Sequence, residues 1–177
     1  MIFMIERTLV FIKPDGVERN LIGEIIRRYE NAGLRVVELR MIKPTMERLR
    51  LHYPENKEYF ISIAKKAEKT GKKIDNRVEY GKEVVNKLRN YVASGKIVLM
   101  ILEGEDAIKK VREVTGYTDP AKAEKGTIRG DLGNDDLEKA TLEGRVCRNL
   151  VHASGSLEEA EKEIKLWFGE KYLLSEK

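Results

Sequence analysis

Cysteine is almost missing from this chain. Cys147 is the one thiol in 177 residues, so no internal disulfide can form. That sets aside the stapled scaffolds of secreted proteins and fits a reducing compartment, the cytoplasm. Cys147 itself reads as a small buried hydrophobe. Long apolar runs are missing too. Nothing approaches the length of a membrane span. The apolar start Met1-Ile2-Phe3-Met4-Ile5 is too short for a secretory signal and runs straight into charge. Neither a Walker-type glycine loop nor a Gly-x-Gly-x-x-Gly after a strand occurs, so those two modes of phosphate binding have no support. Aromatics make up only 7% of residues and form no ladder among the basic ones, which argues against nucleic acid as the main ligand.

Charge is plentiful, 36% of residues, with a net +4. A mild basic excess suits a small phosphate-bearing ligand. The length fits one domain, residues 1–177, with a full core.

Thr8 to Ile12 is a buried-strand run that leaves through Lys13-Pro14-Asp15-Gly16, read as a turn. Leu21, Ile22, Ile25, Ile26 and Tyr29 recur at helical spacing until Gly33. Leu34 to Ile42 is a second strand whose alternation slips at Val36-Val37, the signature of a bulge. Pro44-Thr45 opens a short helix. The lysine-rich stretch at about 56–90, broken near Thr70-Gly71-Lys72-Lys73, reads as a solvated helical excursion on the surface. Ile97 to Leu102 is the most apolar run and a central strand. A helix carries Ala107, Ile108, Val111 and Val114 and ends at Gly116. Residues 117–134 lack periodicity, as a functional loop does. A second polar insertion spans 132–147, and Val146 to His152 reads as the last strand. The final helix, Leu157 to Phe168, buries Leu157, Ala160, Ile164, Trp167 and Phe168. This order fits an α/β (α+β) fold. It is a ferredoxin-like βαββαβ sandwich, a four-stranded antiparallel sheet with helices on its faces and two helical insertions.

His152 and His52 are the only histidines. Alone, a histidine at a strand end is more often a packed core residue than a reactive one. His152, however, stands just before a Ser156-Leu157-Glu158-Glu159 capping box. The helix so started presents Glu163 at the edge of its apolar stripe, where a carboxylate needs a partner. His152 is the nearest candidate. Lys13, Arg112, Thr118, Arg129 and Asn149 sit at the ends of other elements. Brought together they would cradle phosphate around an imidazole, which as a neutral ring can act as nucleophile.

These residues carry a resemblance to nucleoside diphosphate kinases. It rests on Glu6-Arg7-Thr8, Lys13-Pro14-Asp15-Gly16-Val17, Leu21 to Ile26, His52-Tyr53, Glu103-Gly104 and Thr118-Asp119-Pro120. It continues through Gly126-Thr127-Ile128-Arg129-Gly130-Asp131, Asn149 to Ser154, Ala160 to Ile164 and Leu166-Trp167-Phe168. The resemblance implies a ping-pong transfer of a γ-phosphoryl group between nucleoside tri- and diphosphates through a phosphohistidine on His152, formed at Nδ1. Glu163 and Ser154 match the residues that hold the ring. Lys13, Tyr53, Arg112, Thr118 and Arg129 match phosphate contacts, and Asn149 with Lys13 match ribose contacts. Mg2+ is implied between the outer phosphates, with no metal ligand from the protein. A homo-oligomer (hexamer, tetramer or dimer) is implied as well.

The chain also departs from the family pattern. The segment between Tyr53 and Ser94-Gly95 is long, and counting back from its end puts Val84 where members stack an aromatic on the base. Tyr59, Phe60 or Tyr80 are the alternatives for that role, and Val146 is the candidate for the other side of the base. Gly155 stands where members often carry an acid, Lys125 replaces a common proline, and the tail that supports a hexamer is short. A nucleotide- or nucleic-acid-binding module without turnover is the alternative reading. It predicts a lost nucleophile or a lost phosphate arginine, and neither is lost.

Overall fold

The computed structural model describes residues 4–69 and 71–174; Met1 to Phe3, Thr70 and the last three residues of the tail lie outside the described residues. Four strands, β1 (Ile5–Ile12), β2 (Arg35–Ile42), β3 (Ile97–Glu105) and β4 (Val151–Ala153), form one sheet in the order β2-β3-β1-β4. All three pairings are antiparallel. The bulge falls between Val36 and Glu38, where the alternation slips.

The sheet's two faces sort alternate residues of the same strands, as a strand's period of two requires. Leu9, Phe11, Leu99 and Ile101 point to one face and pack with Leu49, Val85, Ile164 and Trp167. These come from α3 (Met46–His52), α5 (Arg77–Ser94) and α9 (Leu157–Trp167). Val10, Ile12, Met100 and Leu102 point to the other face, under α2 (Ile22–Asn31) and α6 (Ala107–Thr115).

Several sequence expectations need correction. Lys13-Pro14-Asp15-Gly16 is not a free turn: Pro14 opens a short helix, α1 (Pro14–Glu18), where its missing N–H is harmless. The run read as a strand from Val146 is extended only over β4, because Leu150 has a left-handed backbone (φ 70°). Leu150 instead ties two segments together, accepting from the Lys13 N–H at 2.8 Å and donating to Asp15 Oδ2 at 3.1 Å. The aperiodic stretch 117–134 holds a 3-10 turn (Pro120–Lys122) and α7 (Ile128–Leu132), each too short to show a period. Leu157, expected in the core, is 45% exposed at the first residue of α9. The second insertion does contain a helix, α8 (Leu137–Leu142), capped by Asp136.

The lysine-rich excursion differs most from its reading. It is a hairpin of α4 (Lys57–Glu68), capped by Asn56, and α5, capped by Asn76. Most of its lysines are exposed, Lys72 and Lys87 are half-buried, and Phe60, Ala64, Val85 and Val92 are buried. The two helices meet at Gly81, where a Cβ would lie 2.2 Å from the Phe60 carbonyl oxygen. Arg89 on α5 is buried and donates from Nε to the Tyr53 carbonyl at 3.0 Å. The hairpin is therefore built into the fold rather than laid on it.

Gly81→Ala should lower the unfolding free energy by about 1–3 kcal/mol, because backbone has to move to admit the methyl. Gly23→Ala, on an exposed helical site with nothing within 4 Å, should raise it by roughly 0.5–1 kcal/mol. Urea melts of both variants check this, and an unchanged midpoint for Gly81→Ala would contradict the close helix contact.

Candidate active site

β4 pairs His152 opposite Phe11 of β1, and the imidazole stacks on the Phe11 ring at 4.8 Å. The helix α9 returns over the same face and brings Glu163 to the ring. His152 Nε2 lies 2.9 Å from Glu163 Oε2 and 3.1 Å from Oε1. Ser154, the first residue past the strand, donates to Glu163 Oε2 at 2.6 Å. An ionised carboxylate only accepts, so Nε2 carries the proton and Nδ1 keeps its lone pair. Burial works to raise the Glu163 pKa, but the charge and hydrogen bond of His152 outweigh it and hold the carboxyl below its usual range.

His52 was quoted only for its match to the family, and its place is informative. It is buried edge-on against His152, with ring centroids 4.5 Å apart. Trp167 Nε1 donates to its Nδ1 at 3.1 Å. Burial, then the neighbouring His152, push its pKa down to about 3, so this ring is neutral.

In front of His152 opens a cavity of about 640 Å³. The cationic and donor residues singled out from the sequence converge on it. Lys13 Nζ donates to Asn149 Oδ1 at 2.7 Å, and Asn149 Nδ2 to the Thr118 carbonyl at 2.9 Å. Arg129 donates to three backbone carbonyls, of Asn149 at 3.0 Å, Gly116 at 3.1 Å and Val151 at 2.6 Å. Its guanidinium is fixed, but among the described residues its charge meets no carboxylate. Arg112 reaches the same space from α6. Burial and the charge of Arg129 push the Lys13 ammonium down to about 8, with Asp15 and Cys147 pulling the other way. A site that buries cations without pairing them is organised for an anion.

Tyr53, Val84 and Val146 also line the cavity. Of the three alternatives for the base clamp, Tyr59 and Tyr80 reach it, while Phe60 is buried in the core beneath. Ser154 and Glu163 stand behind His152 rather than in the wall. Gly155 lacks a side chain, yet Glu159 Oε2 accepts from its N–H at 2.7 Å and lies 2.9 Å from where a Cβ would stand. A carboxylate therefore occupies the place the missing acid would have filled.

Sequence reasoning missed several contributors. Asp15 accepts from Tyr91 Oη at 2.6 Å and from Leu150 N–H, anchoring the Lys13 junction. Lys72 from the α4–α5 hairpin donates to the Thr141 carbonyl of α8 at 3.2 Å, so the two insertions meet across the cavity. No spacing rule pairs residues so far apart in the chain.

The family model described as "Nucleoside diphosphate kinase" matches residues 6–69 and 55–173, two stretches that overlap in the α4–α5 hairpin. The chain belongs to the nucleoside diphosphate kinase family. A nucleoside diphosphate kinase of Pyrobaculum aerophilum is 43% identical over 180 residues, covering 96% of this chain and 98% of that one. One of Methanocaldococcus jannaschii is 41% identical over 94% of this chain and 96% of its own. The solved NDP kinase from Pyrobaculum aerophilum superposes with a TM-score of 0.91 at 41% identity, over 97% of this chain and all of that one. A Borrelia burgdorferi nucleoside-diphosphate kinase, solved as a transition-state mimic with vanadate and ADP, gives 0.79 at 29% identity, over 98% and 92%. This kinase is thus a nucleotide phosphotransferase, of a family that in general needs a divalent cation.

The carboxylates around the cavity are already engaged, Asp15 by Tyr91 and Leu150, Glu83 by Lys87 at 2.6 Å, Asp119 by the N–H groups of Ala121 and Leu137. That donor set suits an ion carried in by phosphates and water better than one caged by protein.

The Lys13 value sets a pH dependence. Its folded pKa of about 8 lies below the ordinary 10.5, so the folded chain binds fewer protons between those values. The penalty of the buried ammonium is present below pH 8 and fades as pH rises toward 10.5. Bound phosphate favours the charged form, so ADP affinity should fall by up to about tenfold per pH unit above 8, with proton uptake on binding. Calorimetry in two buffers reads both; Lys13→Met should lose the uptake, and a flat affinity up to roughly pH 10 would contradict the assignment.

Proposed function

We propose that this kinase works by ping-pong transfer through His152. The observation that carries the reading is the Nε2 contact to Glu163 at 2.9 Å, which leaves Nδ1 as the nucleophile beside a cavity lined by Lys13, Arg112 and Arg129. In the first half-reaction the Nδ1 lone pair attacks the γ-phosphorus of a nucleoside triphosphate. The N–P bond forms as the P–O bond to the β-phosphate breaks, and the diphosphate leaves with the electron pair. Glu163, itself braced by Ser154, stabilises the positive charge that grows on the ring. Arg112, Arg129 and Thr118 hold the transferring group, and Tyr53 bounds it. Lys13 and Asn149, already hydrogen-bonded to each other, serve ribose and phosphate. A diphosphate of a different base then takes the phosphoryl group back by the reverse path.

The ion is Mg2+ in this proposal; it would come in with the nucleotide, with no protein side chain assigned to hold it, and would supply charge neutralisation. Val84 and Val146 bound the base with Tyr59 and Tyr80 beside them, so base recognition is mainly apolar and tolerant. We take residues 1–177 as one kinase domain, with the stretches at about 56–90 and 132–147 as walls of its cavity. Nucleoside di- and triphosphates are its ligands, and nucleic acid is not its main one. No helix among the described residues is long and apolar enough to cross a membrane, and the single thiol fits the cytoplasm. A homo-oligomer is supported by β2, an edge strand with Leu39 42% and Met41 48% exposed.

Intact mass after Mg2+-ATP without acceptor should rise by one phosphoryl group, and GDP should remove it. His152→Ala should show no adduct while still binding ATP. Arg129→Lys should lower kcat by about 10²-fold, more than it weakens binding, because the fork is lost. ATP binding with no adduct in the unaltered protein would favour a binding module instead.

A further inference from the structure

Glu163 has two histidine neighbours, and only one of them is its partner. His152 Nε2 lies within 3.1 Å of both carboxylate oxygens. His52 Nδ1 lies 3.9 Å from Oε1, beyond a hydrogen bond but the next nitrogen to that oxygen. Were Nδ1 of His52 protonated, it would be a second donor to the same carboxylate. It would then compete with the ring that does the chemistry.

Trp167 prevents this. An indole N–H can only donate, so the nitrogen it addresses must offer a lone pair. The 3.1 Å bond from Trp167 Nε1 therefore fixes His52 with its proton on Nε2 and none on Nδ1. That arrangement has a local penalty, because His52 Nε2 is buried with no hydrogen-bond partner among the described residues. An orphan donor of this kind is disfavoured unless something else is gained by it. The other tautomer would give the proton a partner in Glu163, but it would set N–H against N–H at Trp167. Four residues apart on one face, α9 thus carries both the carboxylate that orients His152 and the indole that keeps His52 away from it.

We propose that Trp167 is a positioning residue for phosphoryl transfer: by locking His52 as the Nε2–H tautomer, it reserves the Glu163 carboxylate for His152. The inference rests on the histidine mechanism proposed above, and its tests fail separately from it. Phosphorylation of His152 in the unaltered protein tests that mechanism; the state of His52 tests this one.

The experiment is side-chain 15N NMR of the two histidines, joined to a kinetic double-mutant cycle. In the unaltered protein His52 should show a protonated Nε2 and an unprotonated Nδ1. In Trp167→Phe, which keeps an aromatic ring in the core, the His52 proton should shift to Nδ1. The rate of phosphohistidine formation should then fall about tenfold at saturating ATP, with KM little changed. In a His52→Phe background no competing donor exists, so the same Trp167→Phe change should lower the rate by less than about twofold. Equal losses in the two backgrounds would reduce Trp167 to packing and overturn the proposal. So would a spectrum of the unaltered protein with the His52 proton on Nδ1, which decides the matter even if the Trp167 variant does not fold.

Discussion

The contact between His152 Nε2 and the Glu163 carboxylate is the interaction on which the rest of the site depends. It decides which ring nitrogen is free. It also joins the edge strand β4 to the last helix, a tie that Ser154 reinforces through the same carboxylate. Around it the structure leaves little freedom: Phe11 stacks on one side of the ring, His52 stands edge-on, and Ser154 occupies Glu163 Oε2. A buried carboxylate without such partners would be strongly disfavoured. With them it becomes a fixed negative end for the charge that develops on imidazole.

The cavity wall follows the opposite logic. Lys13 is buried and Arg129 half-buried among neutral acceptors, and among the described residues no carboxylate pairs with the Arg129 fork. Such an arrangement lowers the stability of the empty protein, and the charge of a bound polyphosphate offsets it. The stretches at about 56–90 and 132–147 both line the same space. α4 and α5 supply its apolar side and α8 its far rim, and Lys72 ties hairpin to rim through Thr141.

The sheet and its helices were legible because their periods are strong. Ile97 to Leu102, Leu21 to Tyr29 and the capping run at Ser156 each announced an element that formed. The resemblance also gathered Lys13, Arg112, Thr118, Arg129, Asn149 and His152, which converge on one cavity. What escaped the sequence was non-periodic or relational. One-turn helices at Pro14 and Ile128 leave no period to detect. Leu150, with its left-handed backbone, carries no glycine or asparagine to flag it. Gly81 reads as a helix weakener until Phe60 is seen against it. The lysines of the excursion hid a buried apolar seam, and the tautomer of His52 follows from a residue 115 positions away.

The most direct measurement is to determine which imidazole nitrogen of His152 carries phosphorus after reaction with Mg2+-ATP, by 31P and 15N NMR of the intact phosphoprotein. A hydrogen bond that holds the proton on Nε2 requires the phosphoryl group on Nδ1. Phosphorus on Nε2 would mean that the ring leaves Glu163 before it reacts, which would contradict the account at its centre.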